Sequence, residues 1–390
     1  MIRHPAPGAR STIAPVRAAA LALLVVLPAS VAAQSADDDP AFRPPGEEVV
    51  LDPGPVSVNV GGTVLAPAWI SGVSGFGFGV QTLGVFHLGE PGANLASTHR
   101  MLGLYTLAGR WRLESDTDLY WGGNTWHANL EPRYDGLRTG FYGVGNPPPL
   151  ADAEEYEPND LGMVAGLYRR LYRNLQVGLV YELAYHEVHE SEAGGLIESD
   201  PDLIGQDGWI SGVGLALAFD SRDRIFSPRH GVYATYTVTG FPDQLGGEYD
   251  FTEYELDLRT YLPLARRHVL ALQAYTLISR GATPFWRLPS VGDLPHSRAY
   301  GQERFRDKTL GGLQVEWRWQ WSSRFGLEVF AGGVTLDDDR RDLRLDEMRP
   351  SLGASLRVRR PMGDDAVPMR IGGAWGDDGW RLVFGVGDAF

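Results

Sequence analysis

Residues 313–321 read LQVEWRWQW, and taking every second residue splits the string into two unlike sets. Leu313, Val315, Trp317, Trp319 and Trp321 fall on one side, Gln314, Glu316, Arg318 and Gln320 on the other. Successive side chains of a strand point to opposite faces, so the string describes a strand with one apolar and one polar face. Residues 252–262 repeat the split, with Tyr254, Leu256, Leu258 and Leu262 against Glu253, Glu255, Asp257 and Arg259. In 175–186, Leu175, Val177, Leu179, Tyr181, Leu183 and Tyr185 oppose a small or polar set that includes Gln176, Glu182 and His186. Along 379–390, Trp380, Leu382, Phe384, Val386 and Phe390 share the even side, with Asp388 as the one misfit.

A soluble sandwich also alternates, so strand length and destination decide. The alternating segments run about ten residues or more, past the usual five or six of soluble sheets and close to the roughly 9–11 that a tilted membrane crossing takes. At the amino terminus, Arg3, Arg10 and Arg17 precede an apolar stretch from Ala18 to Leu27, followed by the small-residue run 29–33. That order is a secretory signal peptide cleaved after Ala33; the apolar stretch is too short for a spanning helix, which needs about 20 residues. Residues 34–56, with Asp37–Asp39, Glu47 and Glu48, read as a short disordered periplasmic leader, and 57–390 as the folded body. Lipid offers the backbone no hydrogen bonds, so exported strands of this kind cross only as a closed sheet. The fold class is all-β, a transmembrane antiparallel β-barrel.

Composition narrows the chemistry. The 390 residues include 49 glycines and no cysteine, and 49 acids outnumber 35 Lys+Arg for a net charge of -14. Disulfide scaffolds, thiolate metal sites and cysteine nucleophiles are excluded. Nucleic acid is not a partner, because phosphate binding needs a concentrated positive face.

Sixteen candidate strands run from 62–70 to 379–390, the even number that bacterial barrels use; fourteen is the alternative, because Thr106 to Gly109 is a weak turn. Long gaps at 137–159, 189–208, 281–308 and 336–348 follow odd-numbered strands and so lie outside. Short turns at 122–124, 173–174, 264–267 and 322–324 follow even-numbered ones and so lie in the periplasm. The even-side connections 89–97 and 221–230 are longer.

Two segments, LAFDSRDRIFSPRHGVY at 217–233 and HSRAYGQERFRDKTLGGLQVE at 296–316, resemble the barrel of the bacterial surface antigen family, the outer-membrane assembly factors of BamA and TamA type. FYGVGN at 141–146, the segment around Gly72 to Gly79 and the carboxyl-terminal signal of Trp380, Phe384 and Phe390 are further echoes. The resemblance implies a strand-end motif at Asp220, Arg222, Asp223, Pro228 and Gly231. It also implies a long sixth outer loop folded into the lumen, its tip at Arg298, Ala299 and Tyr300. A guanidinium withdrawn from water must be paired, and Glu316 on the next strand is the expected partner, with Glu255 and Asp257 in reserve. The chain departs from the family at Ala299, where the family has a glycine able to take positive φ, and at Gly332, where it has an aspartate. The second departure leaves one carboxylate for the loop arginine missing. The residues before the first strand cannot hold a POTRA module, so the chain resembles the subset with the barrel alone.

The function implied is outer-membrane biogenesis, or partner-dependent protein insertion or secretion, through a weak seam whose strands carry Gly61, Gly62, Gly385 and Gly387. Partners would be outer-membrane lipids, the barrel assembly machinery during the chain's own insertion, and a separate POTRA-bearing periplasmic protein. A passive channel for small solutes and a structural or lipid-binding surface protein are the alternatives. No cofactor and no enzymatic activity are expected: no GxSxG string appears. His186 and His189 are spaced by three in a strand end rather than as HExxH, and Asp337–Asp339 with Asp342 lack a calcium-loop pattern. Trp209, Trp286 and Trp380 read as girdle aromatics.

Overall fold

A computed structural model of the protein describes residues 49–51, 58–70, 76–89, 94–145, 153–200, 203–292, 297–338, 347–362, 365–388 and 390. The stretch read as a signal peptide, nearly all of that read as a leader, Gly72, Asp339 and Asp342 lie outside the described residues.

Sixteen long strands follow one another. They are β1 (Val58–Ile70), β2 (Gly77–Leu88), β3 (Ser97–Thr106), β4 (Trp111–Trp121), β5 (Trp126–Asp135), β6 (Glu154–Tyr172), β7 (Leu175–Glu190) and β8 (Gly208–Asp220). Then come β9 (Gly231–Phe241), β10 (Phe251–Ala265), β11 (His268–Gly281), β12 (Thr309–Trp319), β13 (Phe325–Asp337), β14 (Arg349–Met362), β15 (Asp365–Gly376) and β16 (Gly379–Val386). Each pairs antiparallel with the next. Two short strands flank the sheet: Val49–Leu51 on β1, within the stretch read as leader, and Thr139–Phe141 on β6. Among the described residues no register joins β1 to β16, so the sheet is open at that seam.

The two faces are inverted relative to a water-soluble sheet. On β12 the polar Gln314, Glu316 and Arg318 are 6%, 0% and 2% exposed, whereas Val315 and Trp319 are 36% and 38% exposed. On β8, Leu215 and Leu217 stand exposed while Ala216 between them is buried. Burying carboxylates and guanidinia while presenting leucine and tryptophan makes physical sense only when the outer surroundings are apolar. The polar set faces inward, and the apolar set faces outward.

Two elements differ from the sequence reading. β6 begins at Glu154 rather than near 160, because the β6–β7 hairpin continues past the membrane, where the two faces no longer differ in polarity and the alternation lapses. The last strand stops at Val386; Gly387, at φ 91, turns the chain inward. Asp388 therefore leaves the apolar face, and Phe390 does not share the lipid side with Trp380 and Leu382. Phe390 instead packs inside on Tyr261, Val269 and Ala271.

Candidate functional site

The connection between β11 and β12 is the sixth outer loop, and its described part folds back into the lumen. Phe285, Val291, Arg298, Ala299, Tyr300 and Phe305 are all buried. A loop can be buried only if its polar groups find partners there, and four loop arginines do. Arg287 binds Glu253 through Nε and Nη2, both at 2.8 Å, and Glu182 at 2.7 Å. Arg304 binds Asp378 at 2.8 Å, and Arg306 binds Glu303 at 2.8 Å and the Phe285 carbonyl at 3.1 Å.

The fourth is Arg298. Its Nη1 donates to Glu316 at 2.6 Å and to Glu328 at 3.2 Å, and its guanidinium carbon lies 3.5 Å from the centre of the Phe330 ring. The side chains of Arg298, Glu316 and Glu328 are fully buried. Glu316 is the partner expected from the sequence; of the reserve partners, Asp257 binds Arg259 and Gln273, and Glu255 lines the cavity described below. The carboxylate missing at Gly332 is supplied by Glu328, four residues earlier on the same inward face of β13. Ala299 is accommodated because positive φ falls at Ser297, φ 92, rather than at the position of the family glycine. Tyr300 then seats against Phe305, Phe330, Val334 and Ala374, and its hydroxyl donates to the Pro350 carbonyl at 2.7 Å. Burial pushes that hydroxyl's pKa up to about 12, so it keeps its proton and its role as donor.

The clamp extends to the end of the chain. Glu316 also accepts from Arg318 at 2.6 Å, and Arg318 reaches Asp388 at 2.8 Å and the Phe390 carbonyl at 3.0 Å. Asp388 pairs with Arg357 as well, and Arg370 closes the circuit between Glu328 at 3.4 Å and the Gly387 carbonyl at 2.7 Å. A continuous buried chain of charges thus runs from the loop tip across β12–β15 to the segment after β16. Sequence reasoning found Glu316 but missed Glu328, Arg357, Arg370 and Asp388. The misplaced Asp388 was the available signal, since an acid out of phase on an apolar face implies a partner elsewhere.

The strand-end motif builds the turn after β8. Asp220 receives the Arg222 backbone N–H and Nε, both at 3.0 Å, and Nη2 at 2.7 Å, while Asp223 accepts the N–H groups of Arg229 at 2.8 Å and His230 at 3.1 Å. The turn folds into the periplasmic mouth: Phe226 packs against Leu83 and Val85 of β2 and Val367 of β15, and the Pro228 carbonyl accepts from Arg318 at 3.5 Å. Gly231 has φ 114, and a Cβ there would lie 2.4 Å from the Ser221 carbonyl oxygen. Gly231→Ala is therefore expected to destabilise the folded barrel by about 1–3 kcal/mol, read as a lower urea midpoint in detergent micelles; an unchanged midpoint would show that the turn is not built this way.

Between the loop and the inner wall, an open cavity of about 710 Å³ is lined by Glu114, Asp116, Asp118, Glu131, Glu253 and Glu255 among others, with Arg133, Arg222 and Arg287 beside them. The remaining candidates separate. His186 is buried with Nδ1 on Asp160 and its ring stacked on Trp286 at 5.0 Å, whereas His189 is exposed. Among the described residues no group of three or more His, Asp or Glu is placed to hold a metal ion. Trp286 sits on the loop against His186 and the cavity, not in the lipid girdle, because its neighbour Arg287 is tied to the inner wall. Trp209 and Trp380 are exposed on the outer face.

A family model described as the Omp85 superfamily domain matches residues 139–390, which include both motif segments. No curated protein matches the chain. Among solved structures, the fold is similar to that of BamA from Haemophilus ducreyi lacking POTRA domains 1-3, at 13% identity and TM-score 0.53, over 89% of this chain and 76% of that one. It is also similar to CdiB from Escherichia coli, at 14% identity and TM-score 0.55, over 87% and 64% of the two chains. CdiB from Acinetobacter baumannii gives 11% identity and TM-score 0.54, over 85% and 59%. The chain thus spans less than two thirds of either CdiB chain, and at these identities the likeness is one of fold.

Proposed function

Because the chain belongs to the Omp85 superfamily, we propose that it works in the bacterial outer membrane as a barrel for the insertion or secretion of other proteins, together with a separate periplasmic partner. The observation that carries this reading is the buried clamp of Arg298 on Glu316 and Glu328. A loop held inside by a desolvated ion pair is a defined object that a client or partner can displace, unlike a mobile plug. The open seam between β1 and β16 lies where a client strand could pair, and Gly385 weakens the terminal strand that borders it. The role is passage and assembly rather than covalent chemistry. Copurification tests it: a tagged barrel should bring down an exported POTRA-bearing protein, and depletion should change the abundance of other outer-membrane barrels. Neither partner nor change would count against this role.

A second reading, a passive channel, rests on the acidic cavity. Purified barrel in a planar bilayer would then conduct, with cations favoured because a lumen lined by carboxylates concentrates them. A silent bilayer would remove this reading.

A further inference from the structure

Both ends of the barrel carry charge. The outer ends mix acidic runs such as Glu154–Glu155, Asp337–Asp338 and Asp377–Asp378 with arginines such as Arg110, Arg138 and Arg349. The turns at the other end carry arginine: Arg173 between β6 and β7, Arg266 and Arg267 between β10 and β11, Arg324 between β12 and β13, and Arg360 near the end of β14. All five are exposed.

These arginines form an arc rather than a scatter. The Gln320 N–H donates to the Arg267 carbonyl at 2.9 Å, and the Arg359 N–H to the Arg324 carbonyl at 2.7 Å, so neighbouring turns are fastened side by side. Arg267 also donates through Nη1 to the Trp321 carbonyl at 2.8 Å, and Arg229, from the turn after β8, reaches the Arg266 carbonyl.

At three of these turns, those of Arg173, Arg266 and Arg324, the arginine is paired with an outward apolar side chain at the same level. Tyr172 precedes Arg173 and is 64% exposed, Leu264 precedes Arg266 and is 58% exposed, and Trp321 and Phe325 flank Arg324, both exposed on the lipid side. An aromatic or leucine beside a guanidinium, repeated around one rim, is the arrangement that suits a membrane interface: the apolar member enters the acyl region and the cation meets phosphate. Guanidinium forms bidentate hydrogen bonds with phosphate oxygens. A protein partner would meet this rim from below and would have no use for the outward apolar members.

We propose that the arc from β6 to β14 is a binding belt for the phosphate groups of anionic inner-leaflet phospholipids. This rests on the reading of the chain as an outer-membrane barrel with its short turns facing the periplasm. Lipid held there lies against the wall formed by β6–β14, away from the seam, so it would fix the height and tilt of that wall while the seam edge stays free of the tether.

The test is native mass spectrometry of the full chain from detergent micelles doped with equal parts phosphatidylglycerol and phosphatidylethanolamine. The wild type should retain phosphatidylglycerol over phosphatidylethanolamine, less so as salt rises. The combined variant R173Q/R266Q/R324Q/R360Q should lose at least about tenfold in phosphatidylglycerol retention, since each surface cation is worth roughly fivefold near an anionic leaflet. The matching lysine variant should keep most of it, and its folded mobility on an unboiled gel controls for loss of structure. A folded glutamine variant that retains phosphatidylglycerol as the wild type does overturns the proposal. So does an acidic polypeptide that copurifies through these arginines and displaces the lipid. A chain that folds in neither micelle nor bilayer would sink the barrel reading itself, a different result from a folded barrel indifferent to lipid charge.

Discussion

Replacing Arg298 with alanine is expected to cost about 3–5 kcal/mol of folding stability, because it removes a cation from two fully buried carboxylates. Glu316 retains Arg318, but Glu328 keeps only Arg370 at 3.4 Å and Arg357 at 3.7 Å. The loss should appear as a lower urea midpoint in micelles and as faster proteolysis within 282–308, the loop no longer being held inside. Arg298→Lys is expected to recover part of the stability, keeping the charge but losing the planar contact over Phe330. Adding Glu316→Gln to Arg298→Ala should cost less than the sum of the single changes, since the two side chains share one interaction. If the alanine variant unfolds at the wild-type midpoint with its loop equally protected, the clamp is not what holds the loop.

The second large effect is on the outer face. Leu215 lies near the middle of β8 and is 62% exposed, with Leu179 opposite it on β7 also exposed. Leu215→Arg places a guanidinium among acyl chains and is expected to destabilise the barrel in bilayers by about 2–4 kcal/mol. On a water-facing sheet the same change would fall within roughly 0.5 kcal/mol of neutral. Reversible urea unfolding in lipid vesicles distinguishes the two. A neutral outcome would mean that this face meets water.

The strands were legible because lipid on one side and water on the other force a period of two at nearly every position. Where that contrast ends, legibility ends with it: the first residues of β6 stand beyond the bilayer and were read as loop. Thr106–Gly109, weak as a turn in sequence, does separate β3 from β4, with Gly109 at φ 83. The Arg298–Glu316 pair was legible because a buried cation needs a carboxylate and Glu316 follows on the inward face of the next strand. Glu328 was not, because sequence does not tell which inward positions of β13 lie level with a loop tip arriving from another strand. The inward turn of the final residues escaped for a similar reason. Gly387 permits the turn, but only the three-dimensional nearness of Arg318 and Arg357 makes it favourable for Asp388. Trp286 was misplaced because aromatic character suits a membrane interface and a packed loop equally well.

The central claim is that alternate residues of each strand face lipid and an enclosed wet interior. The chain has no cysteine, so single cysteines introduced one at a time along 175–185 of β7 each carry a unique nitroxide label. Power-saturation spectroscopy of the barrel in lipid vesicles should then give high oxygen and low nickel-chelate accessibility at Val177, Leu179, Tyr181 and Leu183, and the reverse trend at Gln176, Gly178 and Glu182. A flat profile, or one with the odd positions shielded from both reagents inside a packed core, would contradict it.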